Sequence, residues 1–484
     1  MKPDLPASAP LTQSQQLFWR GAQLAPDDPG YTMVWRFDLP QVIDPLRFAG
    51  ALEDVVQSSD AMRAVFVEAD GEVRQALGRD CFELPAVLDL SETPDPEAAL
   101  QSFLKEWVRQ PFDLGAGTYR AQLVRLNAAH WVWLSAQHHI ACDAQSGALL
   151  FKAVSDRYMQ ADTPSHPSYF AAAQRIARAH QDLEDNQSPV QTERQPQSPP
   201  YGGPAQRRSA SSRVRVPIAQ PALDAFLSLG SSAPFRLFTP ELTRMALFLA
   251  AYAAFLHRVS GDERVVVALP AHNRLTPEDR ATMGLFVEVL PISIDVGAED
   301  NFETLFAKVR DALGSFLRTA RPNAVTRTTA SSEANVLNYI TARFGEFAGG
   351  PARATWVHSG AHDAHHCLRL HVTDFDDEGP QLWLDVHDDI LGYVRADDVA
   401  GHLSQFVQGL ADNTALALSK HPLCAHNESQ RLASIGQGPA DSTPQDATIL
   451  ELIQRRVRAS PHDVALREGS QSVSFSDLWE RAAA

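Results

Sequence analysis

The chain has 484 residues, a formal net charge of −17 and 44% hydrophobic content, which is enough for more than one apolar core. The acidic balance repels polyanions and argues against nucleic acid, and Cys81, Cys142, Cys367 and Cys424 stand too far apart for a zinc ribbon or a redox pair. No apolar run reads as a bilayer span and the opening MKPDLPASAP lacks a signal-peptide core, so no membrane is expected and the protein reads as cytoplasmic.

From the amino end, YTMVWRFDL (31–39) and RAVFVEA (63–69) have the β-branched and aromatic content of strands. They alternate with helical spacing in DPLRFAGALEDVVQSS (44–59) and DPEAALQSFLKEWVRQ (95–110), which predicts α/β layers. WVWLSAQHH (131–139) predicts a strand whose last side chains, His138 and His139, point to opposite faces. The next stretch, DAQSGALLFKAVSDRYM (143–159), has helical spacing, with Asp143 placed as its N-cap. A first lobe is thus expected over 1–183.

Residues 184–212 are rich in Pro, Gln and Ser with no periodic apolar face; they read as an interlobe linker, and the arginines from Arg194 to Arg215 as solvated charge. A second lobe is expected over 213–425. Its buried helix starts at Thr239 and Pro240 and stops at Gly261. RVVVALP (264–270), VEVLPISIDV (287–296), ANVLNYITARF (334–344) and QLWLDVHDD (381–389) read as strands of a second sheet, closed by a helix over 395–413. Residues 426–447 read as a polar linker before a tail at 448–484.

Two adjacent imidazoles with a carboxylate four positions later suit either a hydrogen-bonded core feature or a base held at a strand end. Zinc is not favoured there, because neighbouring strand side chains diverge. The stretch HSGAHDAHHC (358–367) holds four histidines and a cysteine, but its irregular spacing suits a polar crossing loop better than a metal site.

QHHIACDAQS (137–146) resembles the double-histidine, aspartate motif of the condensation domains of nonribosomal peptide synthetases, relatives of the CoA-dependent acyltransferases. Other segments match that family in the same order: LTQSQQLFW (11–19), SSDAMRAVF (58–66) with Arg63, HPSYFAAAQ (166–174), ALPAHNR (268–274) with Arg274, and MGLFVEVLPISI (283–294). Two departures stand out: Ala144 replaces the glycine usual after the aspartate, and the Asn-Gln-x-x-Pro-Phe segment is not recognisable around RPNAVTRTTA (321–330). Residues 447–484 resemble the truncated start of an adenylation domain.

The resemblance implies a two-lobed, V-shaped pseudo-dimer of chloramphenicol-acetyltransferase-like lobes with a substrate tunnel between them. It implies an amide-forming acyltransferase with His139 as the catalytic base or positioning group, and His138, Asp143 and Arg274 as support, Asp143 pairing with Arg274. Ala144, Gly147 and Ala148 are small enough to open a donor channel. No tightly bound cofactor or metal is implied. The expected partners are acyl-CoA as co-substrate, an aminoacyl carrier protein bearing 4'-phosphopantetheine and the adjoining adenylation domain, with the chain a monomer. Only ten residues precede the first motif, so the donor is expected from outside, as in a starter condensation domain that begins a lipopeptide. A carrier-bound donor supplied in trans and a non-catalytic recruitment module are the alternatives.

Overall fold

The computed structural model describes residues 8–69, 71–78, 82–161, 166–184, 197–202, 210–320, 322, 335–363, 366–375, 379–387, 394–437 and 448–484. Most of the expected interlobe linker, most of 321–330 and Cys81 lie outside them. The chain forms two compact units, Met1–Cys424 and Ala425–Ala484.

The larger unit contains both lobes. Its first half runs β1 (Ser8–Pro10), α1 (Gln13–Leu24), β2 (Thr32–Leu39), α2 (Pro45–Ser58), β3 (Ala64–Ala69), β4 (Glu72–Leu77), β5 (Leu88–Asp89), α3 (Pro96–Trp107), β6 (Tyr119–Asn127), β7 (His130–His138), α4 (Ala144–Tyr158) and α5 (Tyr169–Glu184). The second half runs β8 (Ser211–Arg215), α6 (Gln220–Ser228), α7 (Pro240–Ser260), β9 (Arg264–His272), α8 (Pro277–Ala281), β10 (Val287–Asp295), α9 (Phe302–Thr319), β11 (Asn335–Ala342), β12 (Arg353–Val357), β13 (Leu368–Phe375), β14 (Gln381–His387) and α10 (Ala396–Asp412).

The first lobe is built on a five-stranded sheet ordered β12-β2-β7-β6-β5. One face carries α2 and α4 over Trp35, Phe37, Phe48, Trp133 and Phe151, and the other carries α3 through Leu100, Leu104 and Trp107. Fully burying a large apolar side chain contributes roughly 1.5–3 kcal/mol, so this aromatic cluster is a main stabilising element of the lobe. β12 comes from the second half of the chain, pairing antiparallel with β2 as Arg353↔Asp38 through Val357↔Val34. Phe344 and Phe347 enter the same core. The first lobe is therefore not confined to residues 1–183.

The second lobe has a six-stranded sheet ordered β10-β9-β11-β13-β14-β8, packed against α6, α7, α9 and α10. The Thr239 cap, Pro240 start and left-handed Gly261 stop of α7 fall where the sequence places them. The helix is long and apolar enough to cross a membrane by length and by a mean hydropathy of 1.2, contrary to the reading that no run is. Two thirds of that window is buried inside the lobe (67%), so the core accounts for its composition.

A third sheet, β1-β4-β3, packs with α5 and with Leu285 and Phe286 of the second lobe. The smaller unit contains α11 (His426–Gly436), α12 (Ile449–Ala459), a hairpin of β15 (Val464–Glu468) and β16 (Gln471–Ser474), and α13 (Phe475–Ala483). Helix α11 occupies a stretch read from sequence as linker, because its polar composition hides the helical spacing.

Candidate functional site

Strand β7 ends at His138, and His139 begins the turn to α4 instead of continuing the strand. The turn is fixed from three sides. His139 N donates to Tyr31 O at 2.8 Å, Ala141 N donates to His138 O at 3.0 Å, and Gln15 Nε2 donates to Ile140 O at 3.0 Å. Gln15 is fully buried and is itself held by Gln75 and by a reciprocal cap with Thr12. Gln15 lies within the LTQSQQLFW motif, yet its bond to the histidine turn spans 125 positions and leaves no periodic signal.

His139 is half-buried, with its ring stacked on Phe18 at 4.9 Å between centroids and 19° between planes. Its Nδ1 lies 2.8 Å from the carbonyl of Cys142. A carbonyl only accepts, so Nδ1 carries the proton and Nε2 keeps its lone pair. Burial holds the imidazole below its ordinary range, opposed by the Cys142 hydrogen bond and the Asp143 charge. His139 is thus a neutral ring in one tautomer, with Nε2 as its basic atom.

His138 has a different environment. It is 6% exposed, accepts from Ile140 N at 3.2 Å and lies edge-on to Tyr31 and Phe112. Burial, then the neighbouring His139, pushes it down to about 3. It stays neutral and serves packing.

Asp143 caps α4 by accepting from Ser146 N at 3.0 Å. Its carboxylate also receives Arg274 Nη2 at 2.8 and 3.0 Å and Phe286 N at 3.2 Å. Burial alone would raise this carboxyl, but the Arg274 charge and these donors outweigh it and hold the group below the usual carboxylate range. Arg274 Nη1 donates to the carbonyls of Asp279 and Thr282, while the guanidinium lies over the Phe286 ring at 4.3 Å. Ser146 Oγ accepts from Gly284 N at 2.9 Å. Gly284 has φ +157°, and a Cβ there would run into the Tyr169 ring, whose hydroxyl donates to Leu285 O. This hub ties the helix after His139 in the first lobe to the loop between α8 and β10 in the second.

The expected donor channel is not open. A Cβ on Gly147 would lie 2.6 Å from Trp35 Nε1, so the indole fills that space, and Ala148 is buried in the aromatic core with Ala144 packed against it. Small residues at this spacing admit a tryptophan, a role that composition alone does not distinguish from a void. Residues 358–363 and 366–367 belong to the connection from β12 in the first sheet to β13 in the second, with His358 half-buried and His362 and His366 buried.

The family profile for the Condensation domain matches residues 7–188 and 239–323. Tyrocidine synthase 3 of Brevibacillus parabrevis is 22% identical over 98% of this chain, which spans 7% of that protein. Isonitrile lipopeptide synthase of Streptomyces coeruleorubidus is 25% identical over 65% of this chain and 22% of its own length. Among solved structures, a variant of the starter condensation domain of rhizomide synthetase in complex with C8-CoA aligns at TM-score 0.67 and 24% identity, covering 86% of this chain and 97% of that one. The first condensation domain of the calcium-dependent antibiotic synthetase, with a substrate analogue, aligns at TM-score 0.71 and 19% identity, covering 87% and 100%.

Proposed function

Because the chain belongs to the condensation domain family of nonribosomal peptide synthetases, acyltransferases that form amide bonds, we propose that it joins an acyl donor to an aminoacyl thioester on a carrier protein, with His139 at the reacting atoms. The observation that carries this reading is the His139 tautomer, fixed by the Cys142 carbonyl with Nε2 left as a base. The α-amine attacks the thioester carbonyl, a C–N bond forms and the C–S bond breaks. His139 Nε2 takes the proton shed by the nitrogen and returns it to the leaving sulfur. A positioned base contributes about 10² to 10⁴ in rate. Because burial lowers the folded imidazole, the active neutral ring persists below the ordinary histidine value of about 6.5, and the acid limb of the rate profile falls below it.

His138, Asp143 and Arg274 support the site by packing and by the interlobe hub. The donor in this reading is an acyl-CoA, and the likeness to a starter condensation domain crystallised with C8-CoA supports it. The test combines this chain, octanoyl-CoA and an aminoacyl-loaded carrier, and follows the carrier's intact mass. Acyl-aminoacyl carrier that disappears with His139→Ala supports the proposal. Product formed only from a carrier-bound donor overturns the CoA assignment, and no product from either donor overturns amide formation.

A further inference from the structure

The histidine turn is served from helix α1 by positions 15, 18 and 21, spaced by three along that helix. Residues three apart lie on one helical face, so a single rigid element acts at all of them. Gln15, fully buried, donates through Nε2 to the Ile140 carbonyl at 3.0 Å, and its amide is paired with that of Gln75 at 3.1 Å in both directions. Phe18 is stacked on the His139 ring itself, with 4.9 Å between centroids and 19° between planes. At position 21 a Cβ would run into the Tyr31 hydroxyl, so the glycine lets the Tyr31 ring lie against the helix. Tyr31 in turn meets Phe18 edge-on at 5.1 Å, and its carbonyl accepts from His139 N at 2.8 Å.

These contacts divide the work. The bonds at the Ile140 and Tyr31 carbonyls fix the backbone of the turn, but neither restrains rotation of the imidazole about its own torsions. The terminal torsion of histidine is broad and roughly two-fold, so a ring held by one hydrogen bond keeps a wide libration. For His139 that bond runs from Nδ1 to the Cys142 carbonyl at 2.8 Å, and the Phe18 face is the second restraint, because every tilt out of the stacked plane loses contact with it. The helix is anchored well enough to hold such a plane: Thr12 closes a capping box with Gln15, Leu17 packs on the core of the second lobe, and Trp19 stacks on Phe66.

We propose that Phe18 is a positioning residue for the amide-forming reaction: it fixes the plane of the His139 imidazole, and so the direction of the Nε2 lone pair, from the same face of α1 that holds the turn. The inference rests on the assignment of His139 to the reacting atoms. Phe18 acts through the imidazole, so its loss lowers turnover and leaves substrate binding largely in place. A base misplaced by about 1 Å costs about a hundredfold in rate.

Phe18→Leu keeps an apolar side chain and removes the flat face. With octanoyl-CoA and an aminoacyl-loaded carrier, its kcat should fall about ten- to a hundredfold while KM changes by less than about threefold. Phe18→Tyr, which keeps the ring, should restore most of kcat. Long-range ¹H–¹⁵N correlation spectra of histidine-labelled protein read the ring without turnover, the His139 signals being identified by their loss in His139→Ala. The parent should show the Nδ1–H tautomer alone, the leucine variant a mixture of both tautomers, and the tyrosine variant the parent's pattern again. The acid limb of kcat should also move up towards the ordinary histidine value in the leucine variant, since water reaches the face that Phe18 covered, while the charges of Asp143 and Arg369 and the neighbouring His138 stay as they are. Parent kcat with the parent's tautomer in Phe18→Leu overturns the inference. So does a loss of kcat with the tautomer unchanged, which would make Phe18 a packing residue only. Should the parent form no amide from any donor, the assignment of His139 to the reacting atoms fails, and the tautomer of the leucine variant still decides whether Phe18 holds the ring. If the leucine variant does not fold, Phe18→Met, whose flexible side chain fills irregular gaps, takes its place in every arm.

Discussion

Two buried arginine and carboxylate groupings brace this molecule, and they differ in what they join. At the interlobe hub, Arg274 spends both terminal nitrogens on Asp143, Ser146 and three backbone carbonyls, and lays its face on Phe286. On the second sheet, Asp385 is claimed by Arg213 and His371 from the two neighbouring strands. The first grouping crosses between the lobes beside the histidine turn, and the second ties neighbouring strands of one sheet.

The comparison breaks most visibly at the hub. Asp143→Ala should cost about 3–5 kcal/mol in urea unfolding, because it strands a buried guanidinium. Arg274→Ala should cost a similar amount, and the double variant should lose much less than the sum. Additive losses would mean that the pair does not act as a unit.

Lowering the pH tests both regions together. His138, beside His139, is held at about 3, and His371, among Asp385, Arg213 and Arg369, at about 4, mainly by burial. Both values lie below the unfolded imidazole value of about 6.5, so the unfolded chain binds more protons in that window. Stability is therefore full above about pH 6.5 and is lost as pH falls towards those folded values. Near pH 5 the two groups imply a slope of about 2–3 kcal/mol per pH unit, measured by denaturation across a pH series. A flat profile would contradict the burial of these rings.

Smaller effects sharpen the contrast. Asp385→Asn keeps an acceptor for Arg213 and His371 but removes the charge, so a loss of about 1–3 kcal/mol is expected. Gly147→Ala should cost about 1–3 kcal/mol by overpacking against Trp35, with no gain in acyl-chain length tolerance. A longer accepted chain in that variant would restore the channel that Trp35 closes.

Most helices and strands were legible because each carries its own composition and punctuation: Thr239, Pro240 and Gly261 delimit α7, and β-branched residues mark β9 and β10. The histidine turn was legible as a motif. Its supports were less so, since Gln15 reaches Ile140 and Arg274 reaches Asp143 across 125 and 131 positions. β12 escaped notice because five residues, RATWV, carry no period of their own and their partner is β2. His362 is buried in the connection between β12 and β13, where its surroundings come from elements distant in the chain and leave no periodic signal.

That borrowed strand also bears on how the molecule is made. About three hundred residues separate β2 from the segment that covers its edge. At about 5–20 residues per second, a ribosome takes about 15 to 60 s to supply it. For that interval β2 presents an open row of amides and carbonyls, the kind of edge that recruits another chain. Nascent protein should therefore depend on a holding chaperone until residue 357 has emerged. Any recombinant exchange of the first lobe that cuts the gene between the lobes should yield aggregates unless residues 353–357 travel with it.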